Sequence, residues 1–121
     1  MWTYQVSTGS MKGPQGTVLA TGYSGNGASI NQPAAEGVKG HGPIPVGQYA
    51  MGPWFDHPEK GVIVTRLEPH PENDMRGRDG FMIHGDNSLS NHTASDGCII
   101  MPRFARQVMS QSTDQELEVI D

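Results

Sequence analysis

Sixteen glycines and nine prolines punctuate these 121 residues, and that punctuation constrains the fold more than any other feature. Both residue types interrupt helices and strand interiors, so the chain has room for short strands and turns and little for long helices. The stretch from Gly9 to Gly47 is dense in Gly, Ser, Asn and Pro, yet apolar residues are spread along the whole chain and no repeat occurs. That pattern describes an ordered, loop-rich β domain rather than a disordered one. The length predicts a single domain over residues 1–121, large enough to bury a core without metal or disulfide staples.

Trp2 to Ser7 alternates large and polar residues as a half-buried strand does, and Thr17 to Tyr23 reads as a second strand. The turn chemistry of Gly13-Pro14-Gln15-Gly16 between them predicts a β-hairpin. Ser24 to Gly42 reads as a long loop with a short helical turn near Pro33-Ala34-Ala35-Glu36, and loops of that length in small domains often border a site. Val46 to Met51, Gly61 to Leu67, Phe81 to His84, Cys98 to Met101 and Leu117 to Ile120 complete the strands. After Pro102 one helix is predicted, with Phe104, Val108 and Met109 at helical spacing. The expected fold is mainly β, a β-sandwich or flattened barrel with one C-terminal helix.

The formal net charge is −5, and the nearest thing to a basic cluster is Arg76 with Arg78. A nucleic-acid or anionic-membrane surface is therefore not expected. No segment has the length of a transmembrane helix, and Met1-Trp2-Thr3-Tyr4 lacks the basic-then-apolar pattern of a conventional signal peptide. A lone cysteine leaves the redox compartment open.

That cysteine, Cys98, cannot form an internal disulfide, so it is either a small core hydrophobe or a nucleophile. Cysteine acyl chemistry needs a thiolate, a base within reach, a group orienting the base, and donors for the developing oxyanion. Alternation along Phe81-Met82-Ile83-His84 places Phe81 and Ile83 on one face and His84 on the other, at the end of its strand. Cys98 opens a strand directly after Gly97, where a backbone can approach closely. Two neighbouring strands bring His84 and Cys98 together, with Asp86 to Ala94 as the intervening loop. The backbone N–H groups of Gly97 and Cys98 are then the natural oxyanion donors, and an activated thiol of depressed pKa is expected. A zinc set of His84, His92 and Cys98 matches no common ligand spacing. No cofactor is expected.

The residues His84 and Ser95-Asp96-Gly97-Cys98-Ile99 resemble the active-site signature of L,D-transpeptidases: a histidine, an intervening stretch, then Ser/Thr-His-Gly-Cys and an aliphatic residue. Gly42-Pro43-Ile44-Pro45-Val46-Gly47-Gln48-Tyr49 resembles the segment that precedes a strand in that superfamily. The Trp2-Thr3-Tyr4 hairpin, the Tyr23-Ser24-Gly25 turn and the run from Arg78 to Gly85 look like one compact branch, the L,D-transpeptidase effectors of bacterial type VI secretion. The chain departs from the larger enzymes in three places. Asp96 stands where a second histidine is usual, the loop between His84 and Ser95 is shorter, and the arginine that closely follows the cysteine is replaced by Ile100, the next arginine being Arg103.

The resemblance implies that Cys98 attacks the carbonyl between the third and fourth residues of a peptidoglycan tetrapeptide stem, with His84 as base and then acid. The thioester is resolved by the amine of another stem, by a free D-amino acid, or by water. Gly97 and Cys98 supply backbone donors, and Ser95 shapes the turn or assists the imidazole. Arg78, with Arg76, is a candidate for holding a stem-peptide carboxylate, and Asp86 or Asn87 for orienting His84 or meeting the substrate. Trp54-Phe55 is either a cleft wall or core. An antibacterial toxin secreted without a conventional signal peptide, acting in the periplasm of a target bacterium and opposed by a cognate immunity protein, is implied with it. Two other classes fit the residues alone: a different cell-wall cysteine peptidase or phage lysis module, and a non-enzymatic β interaction module with an inert Cys98.

Overall fold

The structure is a computed structural model and describes residues 1–87 and 94–121. Strand β1 (Trp2–Gln5) buries Trp2 and Tyr4 on one face. Strand β2 (Ser10–Lys12) returns antiparallel to it, and β3 (Val18–Thr21) pairs antiparallel with β2. The opening is thus two successive hairpins where the sequence predicts one. Gly9, at φ +74°, turns the chain before the expected Gly13–Gly16 corner, and β2 is too short to show an alternation of its own.

After β4 (Tyr23–Ser24) the long loop contains two 3-10 turns, Gly27–Ser29 and Pro33–Ala35, the second where a helical turn is predicted. Strand β5 (Gly47–Met51) follows, then a short hairpin of β6 (Phe55–His57) with the nine-residue β7 (Gly61–Pro69). Strands β8 (Met82–His84) and β9 (Ile99–Ile100) lead into helix α1 (Arg103–Ser110) and the closing β10 (Glu116–Ile120). Strand β10 inserts between β1, to which it is parallel, and β5, to which it is antiparallel.

The hydrogen-bonded path runs β3-β2-β1-β10-β5-β7-β8-β9-β4, with β6 attached to β7. Its two ends, β3 and β4, are separated in the chain by Gly22 alone, so the sheet nearly closes into a barrel, as the mainly β reading anticipates. At that corner the Gly22 N–H donates to the Gly9 carbonyl at 2.8 Å, and a Cβ on Gly22 would lie 1.7 Å from the Ile100 carbonyl oxygen. Only glycine lets the backbones cross so closely.

Inside, Tyr4, Met11, Tyr49, Ile83, Ile99 and Leu117 are fully buried, and α1 closes the core through Ala105 and Met109. Of the three apolar residues at helical spacing, Met109 faces the core and Phe104 and Val108 do not. Phe104 and Val108 are 56% and 44% exposed, whereas Arg106 is buried. Its guanidinium is drawn inward by carbonyls: Nε donates to Met101 O at 3.0 Å, and Nη1 donates to Val62 O and Ile63 O. Trp54 packs half-buried against the core, with its indole N–H on Gln115 Oε1 at 2.7 Å, and does not line the cleft described next.

Candidate active site

Strands β8 and β9 run side by side in parallel, with Ile83 opposite Ile99 and His84 opposite Ile100. Strand alternation sends Ile83 and Ile99 into the core and turns Met82, His84 and Cys98 the other way. In this register Cys98 stands across from Met82, two positions before the residue opposite His84. With strands about 4.8 Å apart and a rise of about 3.3 Å per residue, that offset places the two Cα atoms roughly 8 Å apart. The two side chains share that face without a hydrogen bond between Sγ and Nε2 in the structure. Both line one cleft of about 380 Å³, together with Lys39, Lys60, Asp79, Phe81, Asp96 and Arg78.

The approach to Cys98 is held by buried polar groups. Ser95, fully buried, donates from Oγ to the Cys98 carbonyl at 2.6 Å and accepts from the N–H of Gly25 at 2.9 Å and of Gly97 at 3.0 Å. Ser24 Oγ donates to Gly97 O at 2.8 Å and accepts from Ile44 N–H at 2.9 Å. Asn26 donates from Nδ2 to the carbonyls of Gly40 and Ser95 at 2.8 and 2.9 Å, and its Oδ1 meets His41 Nδ1 at 2.7 Å. Gly97 itself has φ +131°, and a Cβ there would meet Arg78 Nη2 at 2.5 Å and Phe81 Cε1 at 2.7 Å. The turn therefore needs glycine both for its dihedral and for its space. The Gly97 N–H points inward to Ser95, so it is not the outward oxyanion donor the sequence suggests.

His84 is 2% exposed. Its Nδ1 meets the carbonyl of Gly85 at 2.8 Å; a carbonyl only accepts, so this contact assigns the proton to Nδ1 and the lone pair to Nε2. Nε2 is buried and has no hydrogen-bond partner among the described residues. The orienting group is thus the Gly85 main chain rather than Asp86 or Asn87. Asp86 Oδ1 accepts instead from the Tyr23 hydroxyl at 2.8 Å and from Asn87 N–H at 2.9 Å, at the edge of the same strand.

Burial holds the His84 imidazolium below its ordinary pKa; the Gly85 carbonyl opposes this, while Lys60 and Arg106 reinforce it. Burial likewise pushes the Cys98 thiol up, against the lowering by the Met82 backbone amide and Lys60. The expected depressed thiol pKa is therefore corrected: desolvation disfavours both the Cys98 thiolate and the His84 imidazolium. The thiol rests 4.0 Å from Gly80 O.

Arg78 lines the cleft, but four of its N–H donors are directed at main-chain carbonyls: Nη1 at Glu36 and Pro43, Nη2 at Gly42 and Asp96. It also lies over the Phe81 ring at 5.1 Å. This guanidinium ties the long loop to the cysteine turn. Arg76 pairs with Glu36 at 3.0 Å and Asp74 at 3.6 Å. Among the described residues no three His, Cys, Asp or Glu side chains converge as metal ligands; His92 lies outside the described residues. Sequence reasoning singles out the Tyr23-Ser24-Gly25 turn by resemblance alone, without the role of Ser24, and passes over Asn26 and Arg106; the one local signal is that Asn26 stands between glycines. Lys60, also passed over, brings charge to the cleft from the β6–β7 turn.

A family model, the Tlde1 domain, matches residues 19–120, a span containing every residue of this site. Among curated proteins and solved structures nothing matches. No helix among the described residues is long and apolar enough to cross a membrane.

Proposed function

Because the chain belongs to the Tlde1 domain family, type VI secretion effectors of the L,D-transpeptidase kind, we propose that it carries out cysteine-dependent acyl transfer on the peptide stems of bacterial peptidoglycan. One atom carries the reading. His84 Nε2 is a basic lone pair, buried, oriented through Nδ1, without a partner among the described residues, and in the same cleft as the single thiol. A buried polar atom left without a partner costs stability, and proton transfer from Cys98 during catalysis gives it a use. Cys98 itself is half-buried at the cleft and outside the core cluster, unlike an inert packing cysteine. It precedes a strand rather than heading a helix as in papain-like peptidases.

Cys98 Sγ attacks the carbonyl carbon of the third stem residue as its proton passes to His84 Nε2, so a free thiolate never has to persist in the desolvated cleft. The oxyanion faces the Cys98 N–H. Nε2 then delivers the proton to the departing nitrogen of the fourth residue, the C–N bond breaks, and a thioester remains on Cys98. Water or an amine, deprotonated by Nε2, attacks the thioester and returns the proton to sulfur. Water gives carboxypeptidase action, a free D-amino acid gives exchange, and a second stem gives a cross-link. The proposal extends to action in the periplasm of a target bacterium, opposed by an immunity protein that blocks the cleft; the family match supports the first part. Incubation with purified muropeptides, followed by mass spectrometry, tests the activity. Trimmed, exchanged or dimeric stems are expected from the wild type and not from Cys98→Ala or His84→Ala. An unchanged tetrapeptide stem overturns the reading.

A further inference from the structure

Cations are scarce on this chain, which carries eight Lys and Arg against thirteen Asp and Glu. Most of the arginines near the site are committed: Arg78 and Arg106 to main-chain carbonyls, Arg76 to Glu36 and Asp74. Yet two lysines, Lys39 and Lys60, line the cleft beside Cys98 and His84. Among the described residues neither forms an ion pair, although Asp79 and Asp96 line the same cleft.

The two lysines differ in how they are held. Lys60 sits on the turn between β6 and β7, where the N–H groups of Glu59 and Lys60 donate to His57 Nδ1 at 3.0 and 3.1 Å. Gly61 closes the turn at φ +92° opposite His57. Just beyond it, Arg106 Nη1 fastens the carbonyls of Val62 and Ile63. A braced turn thus presents Lys60 at the cleft. Its charge reaches both reacting groups, opposing protonation of His84 and favouring the Cys98 thiolate. Lys39 lies instead beside Gly77, its Nζ 3.9 Å from where a Cβ on that residue would stand.

In acyl transfer the residue that departs carries its α-carboxylate two bonds from the leaving nitrogen. That carboxylate must lie close to both the thiol that attacks and the imidazole that protonates the nitrogen. Resting on the acyl-transfer reading, we propose that Lys60 binds the free α-carboxylate of the departing residue, so that the site selects stems ending one residue beyond the attacked carbonyl. A single ammonium–carboxylate contact in a partly desolvated cleft gives about a tenfold preference for an end bearing that carboxylate.

The test uses two synthetic stem tetrapeptides that differ only in ending as carboxylate or carboxamide. Wild type is expected to favour the carboxylate about tenfold in kcat/KM. Lys60→Met is expected to bring the two within about twofold, mainly through KM, whereas Lys60→Arg and Lys39→Met retain the preference. Equal use of both peptides by wild type, or an undiminished preference in Lys60→Met, overturns the proposal. Calorimetric binding of both peptides to Cys98→Ala, with and without Lys60→Met, separates the two readings. If wild type turns over neither peptide, acyl transfer fails. A Lys60-dependent affinity difference still supports the carboxylate site in that case, and its absence overturns it.

Discussion

Replacing Ser95 with alanine removes one oxygen and three hydrogen bonds, two of them buried and one partly buried. The Oγ donates to Cys98 O at 2.6 Å and accepts from Gly25 and Gly97 N–H at 2.9 and 3.0 Å. Alanine fits the space but leaves two amide hydrogens and a carbonyl facing a methyl group, in a site that is fully closed to solvent. Each stranded group costs about 1–3 kcal/mol. Because the three share one turn they do not add fully, and a total of about 3–5 kcal/mol follows. For a domain of this size that corresponds to a fall in Tm of roughly 10–20 °C. Urea unfolding followed by the fluorescence of Trp2 and Trp54 measures it. Cys98→Ala is the comparison, expected to cost under about 1 kcal/mol because the thiol is half-buried at the cleft. A Ser95→Ala variant within about 0.5 kcal/mol of wild type would refute the reasoning, since the three bonds would then contribute nothing net.

Gly97→Ala must place a Cβ at φ +131° and within 2.5 Å of Arg78 Nη2; loss of at least about 3 kcal/mol in the same unfolding measurement is expected. Arg78→Lys replaces a fork serving four carbonyls with one point charge, and a loss of about 2–4 kcal/mol is expected from denaturant midpoints. For His84 the folded pKa lies below the ordinary 6.5, so between the two values the unfolded chain binds more protons. Stability is therefore full above about pH 6.5 and falls as the pH drops through it. Unfolding at pH about 7.5 and about 5.5 should show this fall in wild type and a smaller one in His84→Gln. Because burial raises the Cys98 thiol, iodoacetamide should label the native protein slowly at neutral pH, with a rate that climbs above the ordinary thiol pKa; fast labelling that is already flat below pH about 7 would contradict the raised thiol pKa.

Much of this was legible because it is local. The alternation of Phe81 to His84 separates core from cleft in one short run, and Cys98 beside an aliphatic pair marks the neighbouring strand. What escaped depends on distant pieces of chain. The Tyr23-Ser24-Gly25 turn is visible as a turn, but the bonds that Ser24, Gly25 and Asn26 make to residues about seventy positions away are signalled by no periodicity. Of Phe104, Val108 and Met109 only Met109 reaches the core, because Arg106 finds carbonyls at Met101, Val62 and Ile63 and shares the inner face with Ala105 and Met109. Arg78 reads as a substrate guanidinium in a list of residues; in space it meets the main chain of Glu36, Gly42, Pro43 and Asp96. The thiol pKa departs from the sequence expectation for a related reason. A histidine on a neighbouring strand can be read from a sequence, whereas the desolvation of the thiol depends on how the folded chain surrounds it.

The most direct test of the account is the covalent state of Cys98. Wild-type protein mixed with a stem tetrapeptide and quenched in acid within the first turnovers should gain, by intact-mass spectrometry, the acyl group of the stem without its last residue. Peptide mapping should place that mass on Cys98, and it should be missing from Cys98→Ala and slow to form in His84→Ala. Tetrapeptide processing by Cys98→Ala at the wild-type rate, or an acyl group carried on any other residue, would contradict it.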